Sequence, residues 1–205
     1  MLEAPPAGSF PAMNVRMNML RGMLSLTLFI AMAPLEMAVA APRAALVVAV
    51  DPMLKNLQDR QGEDFEAVFL AFLIHHHQAG IRMAALVEER GMDPGLKLEA
   101  QTLISINKRQ IEQMEQWLEQ WHPRKPGEDM IPQASKDQEL QEIAELEKVK
   151  DSRFDKLFIA YMARHQETAI QMARLAAAHA VHEEVKAFAS RVVDLHGEFK
   201  GTVLK

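Results

Sequence analysis

The sequence predicts an all-α protein: a four-helix bundle made of two repeated helical hairpins. Three observations support that class. The chain matches itself at an offset of 89 residues, each copy carries apolar residues at alternating steps of four and three, and glycine or proline falls where those stripes stop.

A fixed internal period decides architecture, so the repeat comes first. Phe65, Phe69, Ala71, His76, Ile81, Met83, Ala84, Leu86, Lys97 and Ala100 recur without a gap as Phe154, Phe158, Ala160, His165, Ile170, Met172, Ala173, Leu175, Lys186 and Ala189. These are ten identities in 36 aligned positions, and all but one are apolar or histidine, which marks a shared core. Leu57 and Leu146 extend the match upstream, and Phe72 stands against Tyr161.

In the first copy Phe65, Phe69, Phe72, His76, Ala79, Met83 and Leu86 form one buried helical stripe. Gly91 is expected to stop this helix as a C-terminal glycine, and Pro94 to open the next. The next stripe runs Leu96, Ala100, Leu103, Asn107, Gln110, Met114, Trp117 and Trp121; His122-Pro123 ends it, since proline disfavours a helical residue before it. The second copy reads Phe154, Phe158, Tyr161, His165, Thr168, Met172 and Leu175, a turn over Ala180 to Glu184, then Val185, Ala189, Val192, His196, Phe199 and Val203. Long helices are expected near 62–90, 95–121, 151–180 and 183–200, with short ones over Asp51 to Asp59 and Gln138 to Val149. Two amphipathic hairpins bury their stripes most simply against each other. One bundle domain is therefore expected over 51–205: repeat one at 51–121, a proline-rich crossover at 122–136 and repeat two at 137–205.

Residues 1–40 read as a signal peptide. Arg16 and Arg21 precede an apolar run from Met23 to Leu35, and Ala38-Val39-Ala40 supplies the small residues of a cleavage site before Ala41. The run is shorter than the ~20 apolar residues a membrane-spanning helix needs. A second apolar patch, Ala44 to Val50 within the linker 41–50, keeps an uncleaved anchor open. The first twelve residues are unlike a signal peptide start, so translation beginning at Met13 or Met17 is also open. The expected location is periplasmic or secreted, with no membrane attachment after cleavage.

The hydrophobic content of 49% and charged content of 25% are those of a globular chain rather than a disordered one. The leader holds two basic and two acidic residues, so the mature part keeps the net charge of −5 and makes a poor nucleic-acid or anionic-membrane binder. There is no cysteine, so disulfides and thiolate chemistry are excluded and any soft metal ligand must be methionine or histidine.

Polar residues inside a buried stripe are costly unless partnered. Counting from the turns places His76 opposite Asn107 and Gln110, and His165 opposite His196 and Phe199. The stripes thus predict one polar layer of His76, Asn107, Gln110, His165 and His196 at mid-bundle. It is either a hydrogen-bonded structural layer or a metal site, since neutral imidazole is the commonest metal ligand. If it is a metal site, binding should fade as pH falls through about 6.5, the free histidine value. Met83 and Met172 lie seven residues beyond His76 and His165, about 10 Å along the helix; they and Met114 are either core filling or ligands reaching across the bundle. In the run His75-His76-His77 successive side chains point about 100° apart, so His75 and His77 should flank the stripe, partly solvated. His122, His179 and His182 are expected at the surface.

These residues resemble the family known as domain of unknown function 305. Its hallmark is Phe-Asp/Glu, a hydrophobic stretch, His-His-x-x-Ala-Ile-x-Met-Ala and a later Gln-x-x-Glu-Ile-x-x-Met-x-x-Trp-Leu. Here the first copy reads His76-His77-Gln78-Ala79-Gly80-Ile81-Arg82-Met83-Ala84, then Asn107 through Gln110, Ile111, Met114, Trp117 and Leu118. The second reads His165-Gln166-Glu167-Thr168-Ala169-Ile170-Gln171-Met172-Ala173. The resemblance implies a ferritin-like four-helix bundle, exported, with copper or silver binding and metal tolerance in some members. It departs where Gln166 replaces the second histidine and where Asn107 and Gln110 replace the family's Gln and Glu.

The candidate metal ligands are therefore His76, His165, His196, Met83 and Met172, with His77 and Met114 in the same motifs. The leading reading is an exported, non-enzymatic protein that binds a copper ion for sequestration or tolerance. The alternative is a metal-free periplasmic interaction or envelope-stress protein whose polar layer is structural. A di-iron enzyme would need paired Glu-x-x-His motifs and core carboxylates, and the chain offers only Glu119 to His122. A metal ion is the expected partner, and self-association into a homo-oligomer stays open.

Overall fold

A computed structural model describes residues 51–123 and 126–203. The expected leader and linker lie outside the described residues. Six α-helices follow in order: α1 Pro52–Gln58, α2 Gly62–Arg90, α3 Pro94–Trp121, α4 Gln133–Lys148, α5 Ser152–His179 and α6 Glu183–Val203, with one 3-10 turn over Glu128–Met130. None of the described helices is long and apolar enough to cross a membrane.

Local chemistry sets the ends. The Asp93 carboxylate accepts from the backbone N–H of Gly95 and Leu96 while Pro94 occupies the first helical position, where its missing N–H costs nothing. Asp51 caps α1 and Asp151 caps α5 in the same way. Gly91 does end α2, but for a different reason from the one expected. Its φ is −70°, not left-handed; a Cβ there would lie 2.7 Å from the Val87 carbonyl oxygen, so it is space that glycine provides. Helix α4 begins at Gln133, five residues before the expected Gln138, which shortens the crossover. Pro132 presets the backbone for that start and its carbonyl accepts from Ser135 N–H.

Helix α2 pairs with α3 and α5 with α6, and the two hairpins join through α2 and α5. The short helices α1 and α4 are counterparts under the repeat, and their equivalent Leu57 and Leu146 are both fully buried. Two apolar clusters fill the bundle. One gathers Phe65, Phe69, Phe72, Met114, Trp117 and Met172 among others. The other gathers Met83, Val87, Leu103, Phe154, Phe158 and Met162. Along each long helix the clusters are separated by polar positions: His76 and His77 on α2, Asn107 and Gln110 on α3, His165 and Gln166 on α5, His196 on α6. A buried polar layer therefore crosses the middle of the core.

Candidate metal centre

His76 and His165 are brought together by the two central helices. Their rings stack at a centroid distance of 3.6 Å and an angle of 9°. His76 Nε2–H donates to the His165 backbone carbonyl at 3.0 Å, which leaves the His76 lone pair on Nδ1. His165 Nε2 is buried and has no hydrogen-bond partner. Gly80 makes room for it: a Cβ at that position would come within 2.8 Å of His165 Nε2.

A second pair lies beside the first. His77 stacks on His196 at 5.4 Å, donates from Nε2 to Gln110 Oε1 at 2.7 Å, and has an unpartnered Nδ1. His196 Nδ1–H donates to Gln166 Oε1. His77 was expected to be partly solvated and is instead completely buried, because α3 and α6 cover the α2 face next to the main stripe. Only His75 fits the flanking role; half-buried, it lies 2.8 Å from a Glu139 carboxylate oxygen.

Burial disfavours charge on all four rings. Desolvation, then the neighbouring His165 and His196 rings, hold His76 well below the ordinary 6.5. Desolvation and the His196 and His76 rings do the same to His77. His165 is pushed down to about 3, by desolvation first and then the His196 and His77 rings, and His196 to about 4 by desolvation. All four are neutral at physiological pH, the state that ligates metals.

A cavity of about 40 Å³ opens between α2, α4 and α5, lined by His76 and His165 together with Asp51, Ser135, Glu139, Glu142 and Arg164, the last two paired at 2.7 Å. Ser135 Oγ and both Glu139 oxygens are buried without a hydrogen bond, although Glu139 Oε2 lies 2.8 Å from the His75 ring and 3.8 Å from Arg82. Its volume exceeds the ~10–15 Å³ a water-sized guest requires.

Met53 also lines this cavity, but the three candidate methionines stand apart from it. Met83 is buried in one apolar cluster and Met172 and Met114 in the other, on opposite sides of the layer. Nor do His76, His165 and His196 gather three nitrogens around one point. The rings are arranged as two stacked pairs. Among the described residues the group of three whose ligand atoms all lie within 4.8 Å of one another is Glu66, His122 and His182.

That cluster was not expected. His122 was assigned to the surface and is buried, while His182 is half-buried; only His179 is exposed as expected. Glu66 is fully buried. Its Oε2 accepts from Val181 N–H at 2.7 Å and His182 N–H at 2.8 Å, and its Oε1 from His182 Nδ1 at 2.6 Å and His122 Nε2 at 3.0 Å. Desolvation pushes the carboxyl up, but hydrogen bonds from the backbone and ring of His182, the His122 ring and Val181 N–H outweigh it, and the group sits below the ordinary 4.5. The available signal was a charged residue one place after a stripe phenylalanine, with histidines at the two helix ends that pack near it.

The fold and the buried histidine layer define a helical-bundle protein of a kind already known. The chain belongs to the family described as domain of unknown function 305, whose model matches residues 31–118 and 81–198. Among solved structures, a DUF305 fragment from Deinococcus radiodurans is similar at 23% identity, with a TM-score of 0.61 over 67% of this chain and 91% of that one. CopM in its Cu(II)-bound form is similar at 22% identity and a TM-score of 0.56, covering 67% of this chain and 92% of that one. CopM in its silver-bound form gives 22% and 0.57 over 67% and 90%. No curated protein sequence matches the chain. At these identities the likeness establishes the fold.

Proposed function

We propose that this chain is an exported, non-enzymatic copper-binding protein, and that His76 and His165 take the ion at mid-bundle. One observation carries the reading: a cavity lined by two stacked, neutral imidazoles and three carboxylate residues, with His165 Nε2 buried and unpartnered. Asp51 and Glu139 lend the cavity negative charge, while Glu142 is already paired with Arg164, which lines the same cavity; an imidazole without a hydrogen-bond partner is relieved by ligation. Similar folds known in Cu(I)-, Cu(II)- and silver-bound forms support copper as the cargo. The same proposal takes residues 1–40 as a removable leader and 51–205 as the bundle domain. The methionines then serve mainly as core filling, and Met83, Met172 and Met114 contribute little to affinity.

Copper titration of the wild type against His76→Ala and His165→Ala tests it. Either replacement should weaken binding far more than His75→Ala. Unchanged affinity in both would end the reading.

A metal-free structural layer is the second reading, favoured by the hydrogen bonds that His76, His77 and His196 already make. Protein purified from copper-supplemented cells without bound copper would support it.

A further inference from the structure

We propose that Glu66, His122 and His182 form a second cation site near the hairpin turn between α5 and α6, suited to a borderline divalent ion and separate from the central histidine layer.

The internal repeat supplies the control. Asp155 is the residue 89 positions after Glu66. It accepts from Met92 N–H at 3.1 Å and Asp93 N–H at 3.1 Å, fastening the turn between α2 and α3. Glu66 accepts from Val181 and Asp93's counterpart His182, fastening the turn between α5 and α6. Each carboxylate therefore clamps the turn of the other copy. Asp155 does so through backbone amides alone, so the clamp needs no histidine. At Glu66 one oxygen, Oε2, holds both amides. The other, Oε1, meets two imidazoles that the first turn lacks.

Their geometry is close to that of a metal site. A tetrahedral ion with bonds of about 2.0–2.2 Å separates its ligand atoms by roughly 3.3 Å. The His182 Nδ1 and His122 Nε2 distances to Oε1, 2.6 and 3.0 Å, would have to widen by about 0.7 and 0.3 Å to reach that separation. The amide bonds to Oε2 fix the carboxylate as a one-oxygen ligand and act as its outer shell. Trp121 stacks on the His182 ring at 3.9 Å and 4°, fixing its orientation. The His182 side chain is 29% exposed while those of His122 and Glu66 are 5% and 0%, so an ion enters on the His182 side and keeps a position open there. Two imidazoles and a carboxylate suit Zn(II) or Cu(II); with no sulfur ligand in the set, Cu(I) and silver are disfavoured.

The test is Zn(II) titration in a His76→Ala/His165→Ala background, which removes the central layer. His122→Gln and His182→Asn each keep an amide donor for Oε1 and lose the imidazole, so the clamp survives. One equivalent of Zn(II) should bind in the background protein, and each replacement should weaken it by at least about 100-fold, beyond the 10–100-fold usual for outer-shell partners. Cu(II), a paramagnetic quencher, should dim Trp121 emission with the same stoichiometry, and a chelator should restore it; Zn(II), the weaker binder at such a site, should not. Zn(II) affinity unchanged by both replacements would overturn the site and leave a clamp, and so would absence of Zn(II) binding to the folded background protein. The copper lost between the wild type and the background protein bears on the central layer, and the Zn(II) bound by the background protein bears on the second site, so the two readings fail separately.

Discussion

His76 and His165 hold equivalent places in the two copies and stack face to face at 3.6 Å. A residue can meet its own repeat counterpart only near the pseudo-twofold axis, so that axis passes between the two rings. At this level the two copies present the same side chain to each other. A hydrogen bond from the His76 ring to the His165 carbonyl accompanies the stack, and it ties α2 to α5 at that level.

Gly80 is the residue that permits the stack, and replacing it should show this. In a helix interior Gly→Ala ordinarily gains up to about 1 kcal/mol. At Gly80 the new Cβ would sit 2.8 Å from His165 Nε2 and 3.3 Å from Asn107 Nδ2. The His165 ring is pinned against His76 and cannot turn away, so overpacking of about 1–3 kcal/mol should outweigh the gain. Gly197 in α6 has nothing within 4 Å of its Cβ position, and Gly197→Ala should stabilise. Chemical denaturation of the two variants measures both signs. Equal shifts would mean that the ring has room to move.

The long helices could be read from the sequence because period and punctuation agreed: α2, α3, α5 and α6 start and stop within a few residues of expectation. The height of the layer followed from counting residues back from each turn. What could not be read was lateral. Periodicity places His77 beside the stripe, and only the packing of α3 and α6 over it decides that it is buried. The methionines shared the histidine stripe, yet seven residues of rise put them in the apolar clusters beyond the layer. Glu66 was hidden for a similar reason. Its partners lie 56 and 116 positions away, in a helix end and a turn whose own sequences look like surface.

Phe69 tests the shared core. It is completely buried, as is its counterpart Phe158, each in a different apolar cluster. Phe69→Ala and Phe158→Ala should each cost about 3–5 kcal/mol. A single cooperative melt, with both variants lowering the same transition, is expected of one bundle. Two transitions, each sensitive to one variant, would mean that the halves fold independently.

The crosswise clamps should differ in strength. Glu66 is fully buried and its two oxygens serve four donors, so Glu66→Ala strands buried groups and should cost roughly 2–4 kcal/mol. Asp155 works at the exposed turn after α2, and Asp155→Ala should cost about 1 kcal/mol. Hydrogen exchange at Val181 and His182 should quicken in the first variant, and at Met92 and Asp93 in the second. Exchange that stays slow at Val181 and His182 without the Glu66 carboxylate would count against the clamp.

Acid should unfold the metal-free protein through the same buried imidazoles that would bind the ion. In the unfolded chain each takes a proton near the ordinary value of 6.5, whereas in the folded protein His165 does so only near about 3 and His196 near about 4. Between those limits the unfolded state holds more protons, so stability falls as pH falls from about 6.5 toward 4. Each ring contributes up to about 1.4 kcal/mol per pH unit. His76 and His77, also held well below 6.5, add to the same slope. Glu66, held below its ordinary 4.5, acts with the same sign: its contribution is present above the unfolded value and is lost as pH falls through the lower folded one. Denaturant midpoints between pH 7.5 and 4.5 should therefore drop steeply, and His196→Gln should flatten the slope by about one proton. The expectation that copper binding fades near pH 6.5 then changes. Protons cannot reach the folded rings at that pH, so binding should persist below it and be lost together with the helical signal. Affinity that falls around pH 6.5 while circular dichroism stays constant would show rings titrating as if solvated, contrary to their burial.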